Sequence, residues 1–392
     1  MASKFKLLTY CLGALVPMAI GLSAASAAET YQPISAITLP NGQAINSFDI
    51  GFVDPTLRQY FLADRTNKSV DVVDTSKDTF VRQLQAGFVG NTGNSDTSGP
   101  NGVLVVNQRF VWAGDGDSTT KVIDLTSGSL VATIPTGGTS RADELCYDQA
   151  DNMILIANDA DSPPFVTFID ATSFKVLGQI AMSGANGTPK ATNGIEQCQW
   201  SPRTGMFYLN LPEVNGPGDD SQPGAVLVLS PQTKSIVNTF TIPVGQCAGP
   251  QGMALGPNNQ ILLGCNAPGP SGNNPTVIIN EHSGAVTAKL SNESGSDEVW
   301  FDPGNNTYFL AESGNPAGPT IGVVTAIPNG QEQPSAPTGS SSSHSVAADQ
   351  VSNEAFVPIP STATGNVCSS VGGFDAEGCI AIYGNTTQTA HK

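Results

Sequence analysis

Residues Asp297–Glu312 read DEVWFDPGNNTYFLAE: a polar start, a short apolar run, a turn on Asp302-Pro303, and a second apolar run. The same arrangement recurs as FDIGFVDPTLRQYFLAD from Phe48, NGVLVVNQRFVWAGD from Asn101, DELCYDQADNMILIAND from Asp143, EQCQWSPRTGMFYLN from Glu196, QGMALGPNNQILLGCN from Gln251, and HSVAADQVSNEAFVPIP from His344. Self-similarity at a regular spacing is the sequence signature of a repeat architecture. The seven copies therefore determine the fold class before any single motif is considered.

Two further apolar runs follow in most copies. The third run often ends in Asp, as in Val70–Asp74, and the fourth is clear in Ser129–Pro135. Four antiparallel strands repeated seven times, at roughly 45–50 residues per unit, predict an all-β, seven-bladed β-propeller with four-stranded blades. The seventh unit ends near Tyr383 without a fourth strand, and Ile34–Pro40 matches a fourth strand that lacks the other three. We therefore expect the N-terminal strand to complete the last blade and close the ring.

The first residues have the features of an export signal. Lys4 and Lys6 precede a largely apolar stretch over residues 7–22, and small residues follow over 23–28. This pattern predicts a signal peptide over residues 1–28 and a single propeller domain over residues 29–392. The apolar stretch is too short for a good membrane span, so we expect a periplasmic or secreted protein without membrane insertion.

Six cysteines remain once the segment that contains Cys11 is removed. An oxidising compartment would allow three disulfides among them, with fifteen pairings open. We favour Cys368 with Cys379 and Cys247 with Cys265, each around a local excursion, and Cys146 with Cys198 as the third pair. The alternative is that one or two of these cysteines are buried free thiols.

The chain is strongly acidic. Its formal charge is −17, and without Lys4 and Lys6 the remaining 14 Lys and Arg against 33 Asp and Glu give −19. Such a chain has too few cations to neutralise phosphates, which argues against nucleic acid and anionic lipid as partners. We expect a monomer that binds a small molecule, and a protein partner stays open as an alternative.

The residue pattern of the third strands, as in Val70-Asp71-Val72-Val73-Asp74, resembles that of the YVTN-type seven-bladed propellers of exported bacterial proteins. That group is similar to the bacterial lactonase-like propellers. The resemblance covers essentially the whole mature chain and implies the propeller fold. It does not assign a chemistry, because propellers serve as hydrolases, lyases, isomerases and binding modules alike.

Each repeat carries a polar residue where its first strand begins, and these strand starts converge around the channel of a propeller. The seven positions are Asp49, Asn101, Asp143, Glu196, Gln251, Asp297 and His344. Carboxylates this close repel by roughly 1 kcal/mol per pair in water and about 4 kcal/mol at an effective dielectric of 20, so protons or a cation must compensate. We predict a divalent cation, Ca²⁺ or Mg²⁺, on Asp49, Asp143, Glu196 and Asp297, with Zn²⁺ or Mn²⁺ as alternatives because of His344. The alternative is a wet channel in which these side chains only bind water.

The second strands end on the same face and bring more polar groups to it. They are Asp64, Arg65, Asp115, Asn158, Asp159, Asn210, Glu213, Asn266 and Glu312. We predict Asn101, Gln251, Asn158, Asn210, Glu213, Asn266 and Glu312 as ligand-binding residues. By strand alternation, Glu144 and Glu298 should point away from their neighbours Asp143 and Asp297. The three tryptophans are predicted as core residues.

Two functions fit this acidic face. One is a metal-dependent hydrolase or lyase acting on a lactone or ester, in which His344 moves protons and Glu196 takes part as a metal ligand. The other is a non-catalytic propeller that holds a metal, a ligand or a protein. For the low-complexity segment from Gln331 to Ser343, two interpretations stay open, a lid and an insertion.

Overall fold

A computed structural model describes residues 29–266, 274–362 and 365–386. The predicted signal peptide, residues 1–28, lies outside the described residues. Within the described ranges, no helix has the length and apolar character needed to cross a membrane. The helical elements found there are three short 3₁₀ turns at Pro40–Gly42, Ser95–Thr97 and Cys368–Val371.

The chain forms seven antiparallel sheets, numbered here as blades 1 to 7. Blade 1 contains β2 (Gly51–Asp54), β3 (Gln59–Asp64), β4 (Ser69–Asp74) and β5 (Thr79–Leu84); blade 2 contains β6 (Val103–Val106), β7 (Phe110–Asp115), β8 (Thr119–Asp124) and β9 (Ser129–Pro135). Blade 3 contains β10 (Leu145–Asp148), β11 (Met153–Asn158), β12 (Phe165–Asp170) and β13 (Lys175–Ala181); blade 4 contains β14 (Cys198–Ser201), β15 (Met206–Leu211), β16 (Gly224–Ser230) and β17 (Ser235–Ile242).

The remaining blades follow in the same order. Blade 5 contains β18 (Pro250–Leu255), β19 (Gln260–Cys265), β20 (Thr276–Asn280) and β21 (Val286–Leu290). Blade 6 contains β22 (Val299–Asp302), β23 (Thr307–Glu312), β24 (Thr320–Thr325), β25 (Gln331–Glu332) and β26 (Ala336–Pro337). Blade 7 contains β27 (Ala347–Asp349), β28 (Glu354–Ile359), β29 (Cys379–Asn385) and the N-terminal strand β1 (Tyr31–Ile37). The seven-bladed propeller predicted from the repeats is confirmed.

Ring closure also follows the prediction. Strand β1 pairs antiparallel with β29, from Tyr31 opposite Asn385 to Ile37 opposite Ile380. The sheet order β1-β29-β28-β27 makes the N-terminal strand the outer strand of the last blade. The first and last described segments therefore hold each other, and the innermost strand β27 packs against blades 1 and 6.

A recurring turn fixes the strand register. The carboxylate of Asp54 accepts hydrogen bonds from the backbone N–H groups of Thr56 and Leu57, and Asp148 repeats this with Ala150 and Asp151. The residue four positions after the Asp adopts a positive φ in several copies: Arg58, Asn152, Asn306 and Asn353. Asn tolerates this left-handed backbone better than most residues. The Asp and Asn spacing of the repeats is therefore turn chemistry.

The apolar core lies between blades. Seven clusters of buried side chains in the described residues each join two neighbouring blades, and together they go once around the ring. Tyr60 and Phe356, for example, stack with ring centroids 5.5 Å apart across the junction of blades 1 and 7. The innermost strands are thus held rigidly around the central channel.

All three predicted disulfides are present. Cys146–Cys198 joins the innermost strands of blades 3 and 4, Cys247–Cys265 holds the entry to blade 5, and Cys368–Cys379 holds the last loop of blade 7. The free-thiol alternative is therefore wrong. Three disulfides indicate a protein that folds and works outside the reducing cytoplasm.

The low-complexity segment forms the interrupted outer edge of blade 6. Its two short strands, β25 and β26, both pair with β24. Between them the chain leaves the sheet, which explains why no regular fourth strand is visible in the sequence. Beyond them, Ser341 and Ser342 reach the mouth of the channel.

Candidate functional site

The starts of the innermost strands surround a cavity of about 460 Å³, called here the upper funnel. Its lining includes Ser47, Phe48, Asp49, Arg65, Arg141, Asp297, Ser341, Ser342 and His344. Three of the seven predicted ring residues, Asp49, Asp297 and His344, line it directly. The alignment of repeats therefore does locate one end of the channel.

Arg65 connects the first two ring positions. Its Nη2 lies 2.5 Å from Oδ2 of Asp49, and its Nε and Nη2 donate to Oδ1 of Asn101 at 3.0 and 2.8 Å. Asn101 in turn donates from Nδ2 to the backbone oxygen of Ala142. Although burial alone would raise the pKa of Asp49, Arg65 and a hydrogen bond with His344 bring that pKa well below its usual value. Asp49 is therefore a carboxylate, and Nη1 of Arg65 has no hydrogen-bond partner among the described residues.

Arg141 forms an ion pair with Asp143, the third ring residue. Its Nε lies 2.8 Å from Oδ2 of Asp143, and its Nη2 lies 2.6 Å from Oδ2 of Asp159, the residue after the second strand of the same blade. Burial nevertheless raises the pKa of Asp143 well above its usual value, against the attraction of Arg141. The sequence analysis predicted that protons or a metal ion compensate the charge of the ring carboxylates. At Asp49 and Asp143, Arg65 and Arg141 provide much of this compensation.

His344 is held on both sides. Its Nδ1 lies 2.9 Å from the backbone oxygen of Ser342, its Nε2 lies 3.3 Å from Oδ1 of Asp49, and its ring stacks on Phe48 at 5.0 Å. Both neighbours accept hydrogen bonds, so the ring satisfies both only as an imidazolium. Burial opposes the charged ring, but the bond to Asp49 and the charge of Asp297 raise the pKa of His344 above 6.5. The ring position that was predicted to move protons is thus a third fixed cation.

Two ring carboxyl groups stand without such a partner. Within the described residues, neither Glu196 nor Asp297 has a side-chain hydrogen bond, and both are half-buried. Burial raises the pKa of both, with the charge of Asp297 adding to it at Glu196, and His344 opposing it at Asp297. Perturbed carboxyl groups in a cleft are typical of functional sites. Asp297 lines the upper funnel, and Glu196 lies close enough for the charge of Asp297 to act on it.

The other predicted ligand-binding residues hold the surrounding loops. Asn210 is buried and donates to the backbone oxygens of Gln251 and Gly252, which fixes the start of blade 5. Asn158 donates to the hydroxyl of Ser118. Glu213 and Glu312 each accept several hydrogen bonds, both from the residues that follow them and from the loop that enters their blade, through Thr192 and Ser294 respectively. Asn266 is half-buried near Gly314.

The ring position of blade 5 is Gln251, whose Oε1 is buried and has no partner among the described residues. The next residue must be glycine, because a Cβ atom on Gly252 would lie 2.3 Å from the backbone oxygen of Asp297. Gly102 is constrained in the same way by Asp143. The innermost strands therefore approach each other most closely just below the ring.

Glu144 and Glu298 lie at β-bulges, and Glu298 lines a different cavity from its neighbour Asp297. Asp143 and Glu144 together oppose Ala157, because Asp143 donates to its oxygen and Glu144 accepts from its N–H; Asp297 and Glu298 oppose Ala311 in the same way. Such a β-bulge interrupts the alternation of side chains. Both glutamates line the central channel, and their carboxyl groups lie within hydrogen-bonding reach of each other.

The core assignment of the tryptophans is correct for one of them. Trp112 is fully buried, whereas Trp200 and Trp300 are half-buried and line the channel below the ring. Sequence reasoning also missed Arg141, although an arginine two residues before a ring position stands out in a chain with 16 Lys and Arg.

The predicted metal site stays a prediction. In the part of the chain that the structure describes, no group of three or more His, Cys, Asp or Glu side chains is arranged to hold a metal ion. The four predicted ligands are divided: Asp49 and Asp143 face arginines, and Glu196 and Asp297 remain open to another partner.

No family model matches this chain. No curated protein matches it either. Among solved structures, a chain in a crystal structure of the mitotic checkpoint complex is similar, with 12% identity, a TM-score of 0.61, and coverage of 96% of this chain and 98% of that one. A chain of hydrazine synthase from Kuenenia stuttgartiensis has 13% identity, a TM-score of 0.62, and coverage of 82% and 93%. These likenesses support the propeller fold alone.

Proposed function

We propose that this chain is an exported propeller, periplasmic or secreted, that binds a small polar molecule in the upper funnel. The bound molecule accepts a hydrogen bond from Arg65 and donates to Glu196 and Asp297. The supporting observation is the division of the ring into fixed cations and two carboxyl groups without partners. A site that presents both a charged donor and charged acceptors suits a neutral polyhydroxy compound or a zwitterion.

The geometry favours binding over acid–base catalysis at His344. A general base must have a free ring nitrogen within reach of the proton that it takes. Both nitrogens of His344 already face acceptors, Ser342 and Asp49. His344 therefore acts as a cation that keeps Asp49 ionised and in place.

A second candidate is the metal-dependent hydrolase or lyase of the lactonase-like kind. It is favoured by Glu196 and Asp297, because two unpartnered carboxyl groups are a starting point for a Ca²⁺ or Mg²⁺ site. Glu196 and Asp297 would then hold the cation, which would supply Lewis-acid polarisation of the carbonyl group of a lactone or ester, and Arg65 would stabilise the developing negative charge.

One experiment separates the two candidates. The purified protein is analysed for bound metal, then screened by ligand-observed NMR against amino acids, polyols and lactones, with and without a chelator. Binding that survives the chelator and is lost in Asp297→Asn supports the polar-molecule site. Lys77→Met, which alters an exposed lysine, serves as the charge control for Arg65→Met.

Two outcomes would contradict these proposals. Full metal retention in both Glu196→Gln and Asp297→Asn would exclude a metal on the ring. Binding of the same molecules with unchanged affinity in Arg65→Met and Asp297→Asn would exclude the upper funnel as the ligand site.

A further inference from the structure

The central channel contains a second cavity below the ring, about 420 Å³ in volume and called here the lower chamber. It is bounded at its inner end by Glu144, Gln197 and Glu298, and at its outer end by turn residues such as Pro202 and Pro303. These turns follow the innermost strands, so the lower chamber lies toward the face opposite the upper funnel. Its volume is in the range of sites for small molecules.

A layer of polar side chains separates the two cavities. Glu144 belongs to blade 3 and Glu298 to blade 6, so their contact crosses the channel. Gln197 of blade 4 accepts from the backbone N–H of Met253 at 2.5 Å and donates to the backbone oxygen of Val299 at 3.5 Å. The lower chamber is therefore a site of its own.

Five aromatic residues, together with aliphatic ones, line the lower chamber. They are Phe52, Tyr147, Trp200, Trp300 and Phe301. None of the described residues that line the chamber is a lysine, arginine or histidine. Aromatic faces attract cations, and aromatic walls are the usual means of binding quaternary ammonium groups.

The two glutamates at the inner end have unused hydrogen-bonding capacity. Glu144 and Glu298 are 5% and 6% exposed, and within the described residues their carboxyl groups have only each other as hydrogen-bond partners. A carboxylate has about four acceptor positions. One bond between the two groups leaves most of these positions directed at the chamber or at its end.

We infer that the lower chamber binds an organic cation, an ammonium group attached to an apolar body. The ammonium group lies against Glu144 and Glu298, and the apolar body lies between the aromatic walls. Binding adds a positive charge that the described residues lining the chamber do not supply. The inference concerns a different cavity from the upper funnel and holds whether or not the proposed function does.

The test uses benzyltrimethylammonium, a permanent cation of suitable size. N-benzylacetamide is the neutral probe and phenylacetate the anionic one. Binding to the oxidised full-length protein is measured by titration calorimetry and by tryptophan fluorescence, since Trp200 and Trp300 line the chamber and Trp112 does not. We expect saturable binding of the cation at least about tenfold tighter than that of either other probe.

The charge requirement is tested with the double variant Glu144→Gln/Glu298→Gln. It removes both ionisable carboxyl groups with little change in shape and should weaken binding of the cation about tenfold or more. The control Asp96→Asn/Asp219→Asn removes two exposed carboxylates and should leave the affinity within about twofold, because exposed charges at a distance are screened. Circular dichroism verifies the fold of both variants.

Affinity for the cation should also rise with pH, because the glutamate pair must release a proton to become anionic. The groups that face this pair are Asp49 from blade 1, Glu196 from blade 4 and Asp297, which precedes Glu298 in blade 6, in addition to the two glutamates themselves. Equal binding of the three probes by the unaltered protein would overturn the inference. This comparison needs no variant, so it tests the inference even if the double variant fails to fold. Equal losses in the double variant and its control would also overturn it.

Discussion

In the upper funnel, buried carboxylates meet arginines, and in the lower chamber, buried carboxyl groups meet each other. Asp49 and Asp143 lie within 3 Å of a guanidinium nitrogen, whereas Glu144 and Glu298 share a hydrogen bond without a cation beside them. Two ends of one channel, built from the same repeated strand, therefore stabilise acidic residues by opposite means.

This difference gives Asp49 and the glutamate pair opposite responses to pH, whereas burial raises the pKa of Asp143 in spite of Arg141. The pKa of Asp49 is lowered, so its stabilising effect is present above pH 3.8 and is lost as the pH falls through the folded-state value. Burial raises the pKa of both Glu144 and Glu298, with the charge of the partner adding to it at Glu144. Their contribution is complete below pH 4.5 and is lost as the pH rises through their folded-state values.

The largest effect is expected from breaking the ion pairs of the upper end. Arg141→Ala leaves Asp143 and Asp159 buried without their cation, which should lower the free energy of unfolding by about 3–5 kcal/mol. Denaturant unfolding of the oxidised protein at pH 7 and pH 5 measures this loss of unfolding free energy. The loss should be smaller at pH 5, because Asp143 then takes up a proton more readily.

The matched control is Arg109→Ala. Arg109 pairs with Asp124 at 2.7 Å, but its side chain is 59% exposed, so its removal should cost no more than about 1 kcal/mol. Equal losses for the two variants would show that burial of the Arg141 pairs has no special energetic role. The two channel ends would then not differ in how strongly ion pairing stabilises their buried carboxyl groups.

Much of the fold could be predicted because each repeat carries its own turn chemistry. The turn residue, which is Asp in four of the seven blades as at Asp54 and Asp148, marks where the first strand ends, and the polar residue before the strand marks the channel. Ring closure followed from counting strands at the two ends. Two disulfides followed from pairing cysteines that bracket short excursions, and Cys146 with Cys198 was the pair that remained.

The chemistry of the channel was harder to predict for two physical reasons. A β-bulge at Asp143-Glu144 and Asp297-Glu298 changes which face a side chain takes, and strand alternation cannot anticipate it. The partner of Asp143 is Arg141, which lies in the loop before the strand and is also held by Asp159. Pairings of this kind depend on loop geometry that a repeat pattern does not encode.

A smaller effect should distinguish the lower end. In Glu144→Gln/Glu298→Gln, the side chains keep their size but no longer titrate. The unaltered protein should lose more unfolding free energy than the variant as the pH rises above 4.5, by up to about 1.4 kcal/mol per pH unit for each proton involved. Denaturant unfolding measured from pH 5 to pH 8 gives the slope of unfolding free energy against pH for the unaltered protein and for the double variant.

The control for this slope is Asp297→Asn, which acts on a single ring carboxyl next to the same layer. It should flatten the pH dependence less than the double variant, since it removes one titrating group. A double variant with the same slope as the unaltered protein would mean that Glu144 and Glu298 titrate normally. It would remove the contrast between the two ends.

The smallest effect concerns His344, which pairs with Asp49 and is also attracted by the charge of Asp297. Its pKa is raised, so its stabilising effect is complete below pH 6.5 and is lost as the pH rises through the folded-state value. His344→Gln should therefore cost about 1 kcal/mol at pH 5 and less at pH 9. NMR titration of the imidazole signal, assigned by its loss in His344→Gln, should show a pKa above 6.5 that falls in Asp49→Asn. If the pKa stayed the same in Asp49→Asn, the carboxylate would not be what keeps the ring charged, and His344 would again be available as a base.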